Sequence, residues 1–298
     1  MSEKTQSDPR DEFIPDPEIV KELRGSIVLI KYGGNAMVEE RAKHYVLAQI
    51  VHLIKLGVHP VIVHGGGPFI QNLFEDVGLP TEFIGGHRKT DMDAMKYVEM
   101  ALSGQVNGEI IRDLNSRGLM AVGLTGKDAG MVRAKRRSHE EIVDGVRENI
   151  DLGYVGDVYS IDTSLINLLL DNGYLPVIAP IGIGSDHMDY NINADMFAGH
   201  MAGALKASAF IAMTNVDGLM GNPDDPDSRL EWADSSDIRV ELGKSIQGGM
   251  IPKVESCLIA LEQGVKKAHI VNGMKPDTLL IELLTHRKCG TTIESSGS

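Results

Sequence analysis

The chain is poor in cysteine, in basic charge and in long apolar runs, and each shortage closes off a class of function. Only 2 cysteines occur, Cys257 and Cys289, with no CxxC and no paired spacing. Neither a disulfide framework nor a zinc cluster is supported, and a reducing, cytoplasmic setting is expected. Lys and Arg number 29 against 42 Asp and Glu, a net charge of −13 that repels nucleic acid and anionic membranes. Any anionic substrate must therefore be met by cations gathered locally. No stretch approaches the roughly 18 apolar residues of a membrane span, and Met1 to Arg10 lack the apolar centre of a secretion signal. Familiar catalytic signatures are missing as well. There is no G-x-S-x-G elbow and no G-x-G-x-x-G, and Gly243-Lys244-Ser245 has Ile238 where a P-loop needs its first glycine. The histidines form no HExxH or close ligand array, so no metal held by the protein itself is expected.

What is present is a large core and a repeated strand–helix alternation. With 298 residues and 42% hydrophobic content the chain suits one large α/β domain or two lobes. Apolar strands are expected at 26–31, 58–63, 119–124, 175–180, 208–213 and 267–271. Helices are expected at 39–57, 68–77, 91–117, 163–172, 194–206, 251–264 and 276–285. Such alternation predicts a mainly parallel sheet covered on both faces. Residues 1–16 read as a polar tail, and Asp16-Pro17 reads as the cap of a short amphipathic helix ending at Gly25, which needs a partner in its own domain or in another subunit. The charged segment 131–160 reads as a β-hairpin and 221–238, from Gly221 to Asp227 above all, as a surface loop.

Chemistry concentrates where glycine turns end apolar strands. Lys31-Tyr32-Gly33-Gly34-Asn35 and His64-Gly65-Gly66-Gly67-Pro68 put bare N–H groups at the carboxyl ends of two strands, where open α/β sheets bind ligands. Lys31 closes an apolar strand and is costly to bury unless an anion meets it; the alternative is a lysine snorkelling at the sheet rim. Gly248-Gly249 precede a helix with Lys253 in its first turn, a pattern suited to phosphate. Arg88 follows Gly85-Gly86 and suits bidentate capture of a carboxylate, or is a solvated surface arginine. Asn191-Ile192-Asn193-Ala194-Asp195 opens a helix, either as plain capping or with Asn191 on a substrate carboxylate and Asp195 orienting lysines. Thr214-Asn215-Val216-Asp217-Gly218-Leu219 ends a further strand, as a simple turn or as a clasp for base and ribose. Two glycine turns and two lysines together point to phosphoryl transfer, which depends on positioning and charge stabilisation.

Taken in order, these five segments resemble the motifs of the amino acid kinase family, over about residues 17–293. The resemblance implies a three-layer αβα sandwich with a mainly parallel central sheet in two lobes: a tail and short helix over 1–25, a substrate lobe over 26–204 and a nucleotide lobe over 205–298. The members it is most similar to transfer the γ-phosphoryl group of ATP, brought with Mg2+, to the side-chain carboxylate of N-acetyl-L-glutamate in arginine biosynthesis. A sister kinase for N-acetyl-2-aminoadipate, one methylene longer, and a catalytically silent metabolite sensor are the alternatives. The resemblance implies that Lys31 and Lys253 stabilise the transition state, that Asp195 organises them and that Gly34 and Gly66 donate to phosphoryl oxygens. Gly66, Gly67, Arg88, Asn191 and Asn193 would hold the acyl amino acid. Asn215, Val216, Asp217, Gly218, Leu219 and Met220, with Ser245, Ile246, Gln247 and Gly249, would flank the nucleotide. It also implies a homo-oligomer, a dimer or a hexamer linked through the 17–25 helix, and raises an arginine effector. Departures from the family pattern are Asn215 for the usual aspartate, His87 and Lys89 beside Arg88, and Glu18 where arginine-inhibited members carry tyrosine. Their D-G-R-x-P-H and G-x-G-T segments appear as Asn272 to Asp277 and Lys288 to Thr291.

Overall fold

The computed structural model describes residues 13–143, 146–222 and 225–295. Most of the expected polar tail, and Pro223 and Asp224 of the expected loop, lie outside the described residues. In chain order the elements are α1 (Pro17–Leu23), β1 (Ile27–Tyr32), α2 (Glu40–Lys55), β2 (His59–His64), α3 (Gly67–Val77), β3 (Phe83–Ile84), β4 (His87–Arg88), α4 (Met92–Glu99), α5 (Asn107–Ser116), β5 (Ala121–Thr125), β6 (Val132–Val143), β7 (Val146–Ile161), α6 (Ser164–Asp171), β8 (Leu175–Ala179), β9 (Ile181–Gly184), β10 (Asp189–Ile192), α7 (Ala194–Ala204), β11 (Ala209–Thr214), β12 (Trp232–Asp234), α8 (Ser235–Glu241), α9 (Ile251–Glu262), β13 (Lys267–Asn272), α10 (Thr278–Leu284) and β14 (Thr291–Glu294).

Continuous apolar strands buried on both faces are what a parallel sheet requires. Eight of them form one sheet in the order β12-β14-β13-β11-β1-β2-β8-β5, parallel at every pairing except β13 with β14. Along β1, Val28, Ile30 and Tyr32 enter the layer built with α2, α5 and α10, whereas Leu29 enters the layer of α7 and α9. Lys31 lies two residues beyond Leu29, so strand alternation delivers its side chain to the α7 and α9 layer. The three-layer architecture is thereby established, and the sheet's carboxyl edge carries both glycine turns.

The expected hairpin is β6 paired antiparallel with β7, but it closes with β9 and β10 into a small four-stranded barrel that the sequence did not suggest. The helix expected over 91–117 is continuous but uneven, with a π-helical stretch over Met100–Val106 between α4 and α5. The loop expected over 221–238 needs correction: Trp232–Asp234 is a strand against β14, and α8 starts at Ser235. Only Ala233 and Asp234 of that strand are buried, so it carries almost no apolar signature. Helix α1 is capped as expected, Asp16 accepting from the Glu18 N–H at 2.8 Å, and it docks on its own domain, with the Asp16 N–H donating to the Leu284 carbonyl at 2.7 Å.

Glu282 of α10 fastens the far edge of the sheet. Its fully buried carboxylate accepts from the Thr292 hydroxyl at 2.6 Å and from the N–H groups of Cys289 at 3.1 Å and Gly290 at 2.9 Å, with His269 Nδ1 3.1 Å away. Burial alone would raise its pKa, but these hydrogen bonds, His269 foremost, hold it down at about 2 against an ordinary 4.5. A carboxyl depressed on folding stabilises the protein above the unfolded value and loses that contribution as pH falls through the folded value. Stability should therefore drop by about 3 kcal/mol at this group between pH 4.5 and 2. Urea midpoints read across that window should fall less steeply for Glu282→Gln than for the parent.

Candidate active site

The two lysines meet at one carboxylate. Lys31 Nζ lies 3.0 Å from Oδ1 of Asp195, and Lys253 Nζ lies 3.6 Å from Oδ2. Each group arrives by a local route. The Asn193 side chain caps α7 by accepting from the N–H groups of Asp195 at 2.9 Å and Met196 at 3.3 Å. Asp195 thus sits in the helix's first turn, where the helix dipole favours a negative charge. Lys253 occupies the first turn of α9, its Nζ also donating to the Gly249 carbonyl at 3.2 Å. The helices approach because Gly199 of α7 lacks a side chain: a Cβ there would lie 2.5 Å from the Ser256 carbonyl oxygen of α9.

Charge and burial decide how the trio behaves. The Lys31, Lys253 and Asp195 side chains are 7%, 19% and 9% exposed, so Lys253 is the member nearest solvent. Burial would push the Asp195 carboxyl up, but the two ammonium groups outweigh it and hold the pKa below the usual carboxylate range. An ion pair at about 4 Å and an effective dielectric of 20 is worth about 4 kcal/mol, which is why two of them win. Burial draws the Lys253 pKa down; Asp195 opposes that and Lys31 adds to it. One carboxylate therefore faces two cations, leaving a net positive charge for an anion.

The glycine turns stand next to this charge. A Cβ on Gly33 would lie 2.9 Å from Lys31 Nζ, so the bare glycine leaves room for the ammonium to fold against the turn. Gly34 has a φ of +67° and open space on its side-chain face. The Gly65 N–H donates to the Tyr32 carbonyl at 2.8 Å, fastening one turn to the other, and the Tyr32 hydroxyl donates to the Ala36 carbonyl at 2.8 Å. Tyr32 therefore braces the first turn from within the core.

A cavity of about 320 Å³ opens between the turns, lined by Lys31, Gly34, Gly66, Gly67, Arg88, Asn191, Asn193 and Asp195 together with an apolar wall that includes Phe83, Leu102, Val155 and Ile192. Every residue expected to hold the acyl amino acid lines it. Arg88 is 9% exposed, and its guanidinium lies between the Phe74 and Phe83 rings, 5.3 and 4.7 Å from their centroids. It donates to Gln71 Oε1 at 3.2 Å, Thr81 Oγ1 at 3.1 Å and the Gly67 carbonyl at 3.4 Å, all neutral. Among the described residues no carboxylate pairs with it, and burial lowers its pKa. A desolvated guanidinium without a counter-charge suits a carboxylate supplied by a ligand. Asn191 Nδ2 donates to the Thr90 hydroxyl at 3.3 Å, which donates in turn to the Arg88 carbonyl at 2.8 Å.

The segments expected around a nucleotide stand apart from this cavity. Asn215 to Met220 follow β11, where Asp217 accepts from Asn272 at 2.8 Å and from Lys275 at 2.7 Å. Leu219 and Ile246 are buried in the core, so at those two positions a base or ribose would meet backbone rather than side chain. Ser245 donates to Glu241 at 2.7 Å and Gln247 to the Lys244 carbonyl at 2.6 Å. Gly249 lines a second cavity of about 470 Å³ with His87, Asn193 and Gly248, so this one reaches across to the acceptor side. Among the described residues no group of His, Cys, Asp or Glu is arranged to hold a metal ion, and no helix is long and apolar enough to cross a membrane. Sequence reasoning missed the ring pair around Arg88, the Thr90 link and the apolar wall; Phe83, close to Arg88 in the chain, is the one visible signal.

Comparison with known proteins gives this geometry a context. A model of the amino acid kinase family matches residues 26–272. The chain belongs to the amino acid kinase family. It is 42% identical over 275 residues to an acetylglutamate kinase of Symbiobacterium thermophilum, covering 92% of this chain and 93% of that one. To the acetylglutamate kinase of Methanocaldococcus jannaschii it is 43% identical over 277 residues, covering 92% of each. Among solved structures, the N-acetylglutamate synthase of Neisseria gonorrhoeae in complex with coenzyme A and N-acetyl-glutamate superposes with a TM-score of 0.80 at 23% identity. That match covers 94% of this amino acid kinase family chain and 62% of the synthase, and bears on the fold alone.

Proposed function

We propose that the protein is an acetylglutamate kinase, transferring the γ-phosphoryl group of MgATP to the side-chain carboxylate of N-acetyl-L-glutamate. The observation that carries this reading is the convergence of Lys31 and Lys253 on Asp195 at the edge of a cavity whose Arg88 pairs with no carboxylate among the described residues. In the reaction a carboxylate oxygen of the acceptor attacks the γ-phosphorus and the bond from that phosphorus to the β–γ bridging oxygen breaks. N-acetyl-L-glutamyl 5-phosphate and ADP result. No general base is required, because the nucleophile is already ionised. The difficulty is repulsion between acceptor and polyphosphate, which the two ammonium groups and the N–H groups of Gly34 and Gly66 offset. Arg88 and Asn191 take the α-carboxylate, and Gly67 and Asn193 complete the acceptor site.

In this reading residues 26–204 form the acceptor lobe and 205–298 the nucleotide lobe, with Asn215, Val216, Asp217, Gly218, Leu219, Met220, Ser245, Ile246, Gln247 and Gly249 around ATP. Mg2+ arrives with the nucleotide. Homo-oligomer formation through α1 and inhibition by arginine are carried over from the family resemblance alone; undiminished turnover in millimolar arginine removes the latter. A silent sensor is disfavoured because a binding protein has no use for the second lysine. The deciding assay follows ADP release with ATP, Mg2+ and either N-acetyl-L-glutamate or N-acetyl-2-aminoadipate, with preference for the former expected. Arg88→Lys keeps the charge but loses the planar fork, a difference of about 1.5–3 kcal/mol for a charged hydrogen-bonded contact. Its KM for the acceptor should rise roughly 10- to 100-fold while the KM for ATP stays near the parent value.

A further inference from the structure

Beneath the second glycine turn lies a buried polar pair that the proposed chemistry leaves without a role. His64 ends β2 fully enclosed, its Nδ1 2.8 Å from the Gly65 carbonyl and its Nε2 3.0 Å from Nδ2 of Asn107. The same Asn107 nitrogen lies 2.9 Å from the Val177 carbonyl, which can only accept, so this end of the amide is the donor. Nε2 of His64 therefore accepts, and the ring proton sits on Nδ1, from which it is donated to the Gly65 carbonyl. Burial lowers the ring's pKa to about 4, which keeps it neutral at physiological pH.

The Gly65 carbonyl and the Gly66 N–H belong to one trans peptide unit, in which they point in opposite directions. Tying the carbonyl down to the buried ring turns the Gly66 N–H away from that ring, and both Gly65 and Gly66 line the cavity with Lys31 and Asp195. The π-helical stretch before Asn107 belongs to the same device. It sets Leu102 against Gly66, where a Cβ would meet Leu102 Cδ2 at 2.4 Å, and it hands the chain on to Asn107 beneath His64. A core that needed only volume at position 64 would be served by leucine, with no donor to satisfy.

We propose that Asn107 and His64 are positioning residues that fix the Gly65–Gly66 peptide so that its N–H faces the transferring phosphoryl group, a role that rests on the phosphoryl-transfer reading above. Neither side chain touches substrate. Both act through the backbone, by removing the rotational freedom of one hydrogen-bond donor before the reaction begins.

The test compares His64→Leu, which removes the donor to Gly65, with His64→Asn, whose amide nitrogen takes nearly the place of Nδ1 and restores it. His64→Leu should lose about 100-fold in kcat, the scale of one oxyanion donor, with the KM for ATP changed less than about threefold. His64→Asn should return to within about tenfold of the parent kcat. Equal losses in both variants, or a parent-like kcat in His64→Leu, overturn the proposal. If His64→Leu does not fold, His64→Phe replaces it, since its ring fills the imidazole's space and carries no donor for the Gly65 carbonyl. A crystal structure of whichever of these two variants folds separates the two readings: a Gly65–Gly66 peptide still in the parent orientation contradicts positioning whatever the substrate is. A rotated peptide beside an unchanged Lys31–Asp195 pair supports it even should the parent fail to phosphorylate N-acetyl-L-glutamate.

Discussion

Lys253→Ala should lower turnover roughly 1000-fold, the scale on which a positive charge at a transferring phosphoryl group acts, while the urea midpoint barely moves. The stability half follows from geometry. The Lys253 side chain is the most exposed member of the trio, and its removal leaves Asp195 paired with Lys31 at 3.0 Å. Lys31→Ala should cost comparable turnover and more stability, because the 7% exposed Lys31 is the closer of the two counter-charges to a buried carboxylate. The double variant should lose less than the product of the two single losses, since in the proposed reaction both groups act on the same atoms. Steady-state kinetics beside urea unfolding checks all three. A Lys253→Ala enzyme within tenfold of the parent would remove this lysine from the chemistry.

Asp195→Ala has the second large effect, and it falls on stability as well as rate. Apart from the Lys31 ammonium, Oδ1 of Asp195 has no hydrogen-bond partner among the described residues, so this carboxylate's work is to hold cations. Removing it leaves two ammonium groups facing each other. Lys253 can swing towards solvent, whereas Lys31 is enclosed by Gly33 and the α7 layer. Loss of one partner from a buried pair costs about 3–5 kcal/mol, and the lysines' disarray should reduce kcat by more than 100-fold. Adding Lys31→Met to Asp195→Ala should restore most of the stability and none of the activity. That separation distinguishes a carboxylate that organises charge from one that only packs.

The fold and the layout of the candidate site are partly legible in residue order, for reasons visible in individual elements. Strands such as β1 and β11 are buried on both faces and read as unbroken apolar runs, so a lysine at the end of one of them is conspicuous. The starts of α7 and α9 follow from the Asn193 cap and from the Gly-Gly-x-x-Pro approach to Lys253, which places two charged groups, Asp195 and Lys253, in first turns. Their convergence rests on the close crossing at Gly199, a contact between chain segments far apart that no local pattern encodes. Strands β9 and β10 of the barrel are four residues each, and β12 is three, too short for period-two alternation to emerge. The continuous helical periodicity of 91–117 likewise conceals the π-helical stretch that brings Asn107 to His64. The ring pair enclosing Arg88 joins α3 to β3 and is a tertiary fact that composition near the arginine only hints at.

In the proposed reaction two ammonium groups bracket one migrating phosphoryl group. A crystal structure with ADP, Mg2+, tetrafluoroaluminate and N-acetyl-L-glutamate measures this directly, because the planar aluminium fluoride takes the place of the phosphoryl unit between nucleophile and leaving oxygen. The prediction is that Nζ of both Lys31 and Lys253 lies within about 3 Å of the fluorides or the bridging oxygen, with the acceptor's α-carboxylate on Arg88. An aluminium fluoride contacted by only one of the lysines, with the other still turned to Asp195 or to solvent, would contradict it.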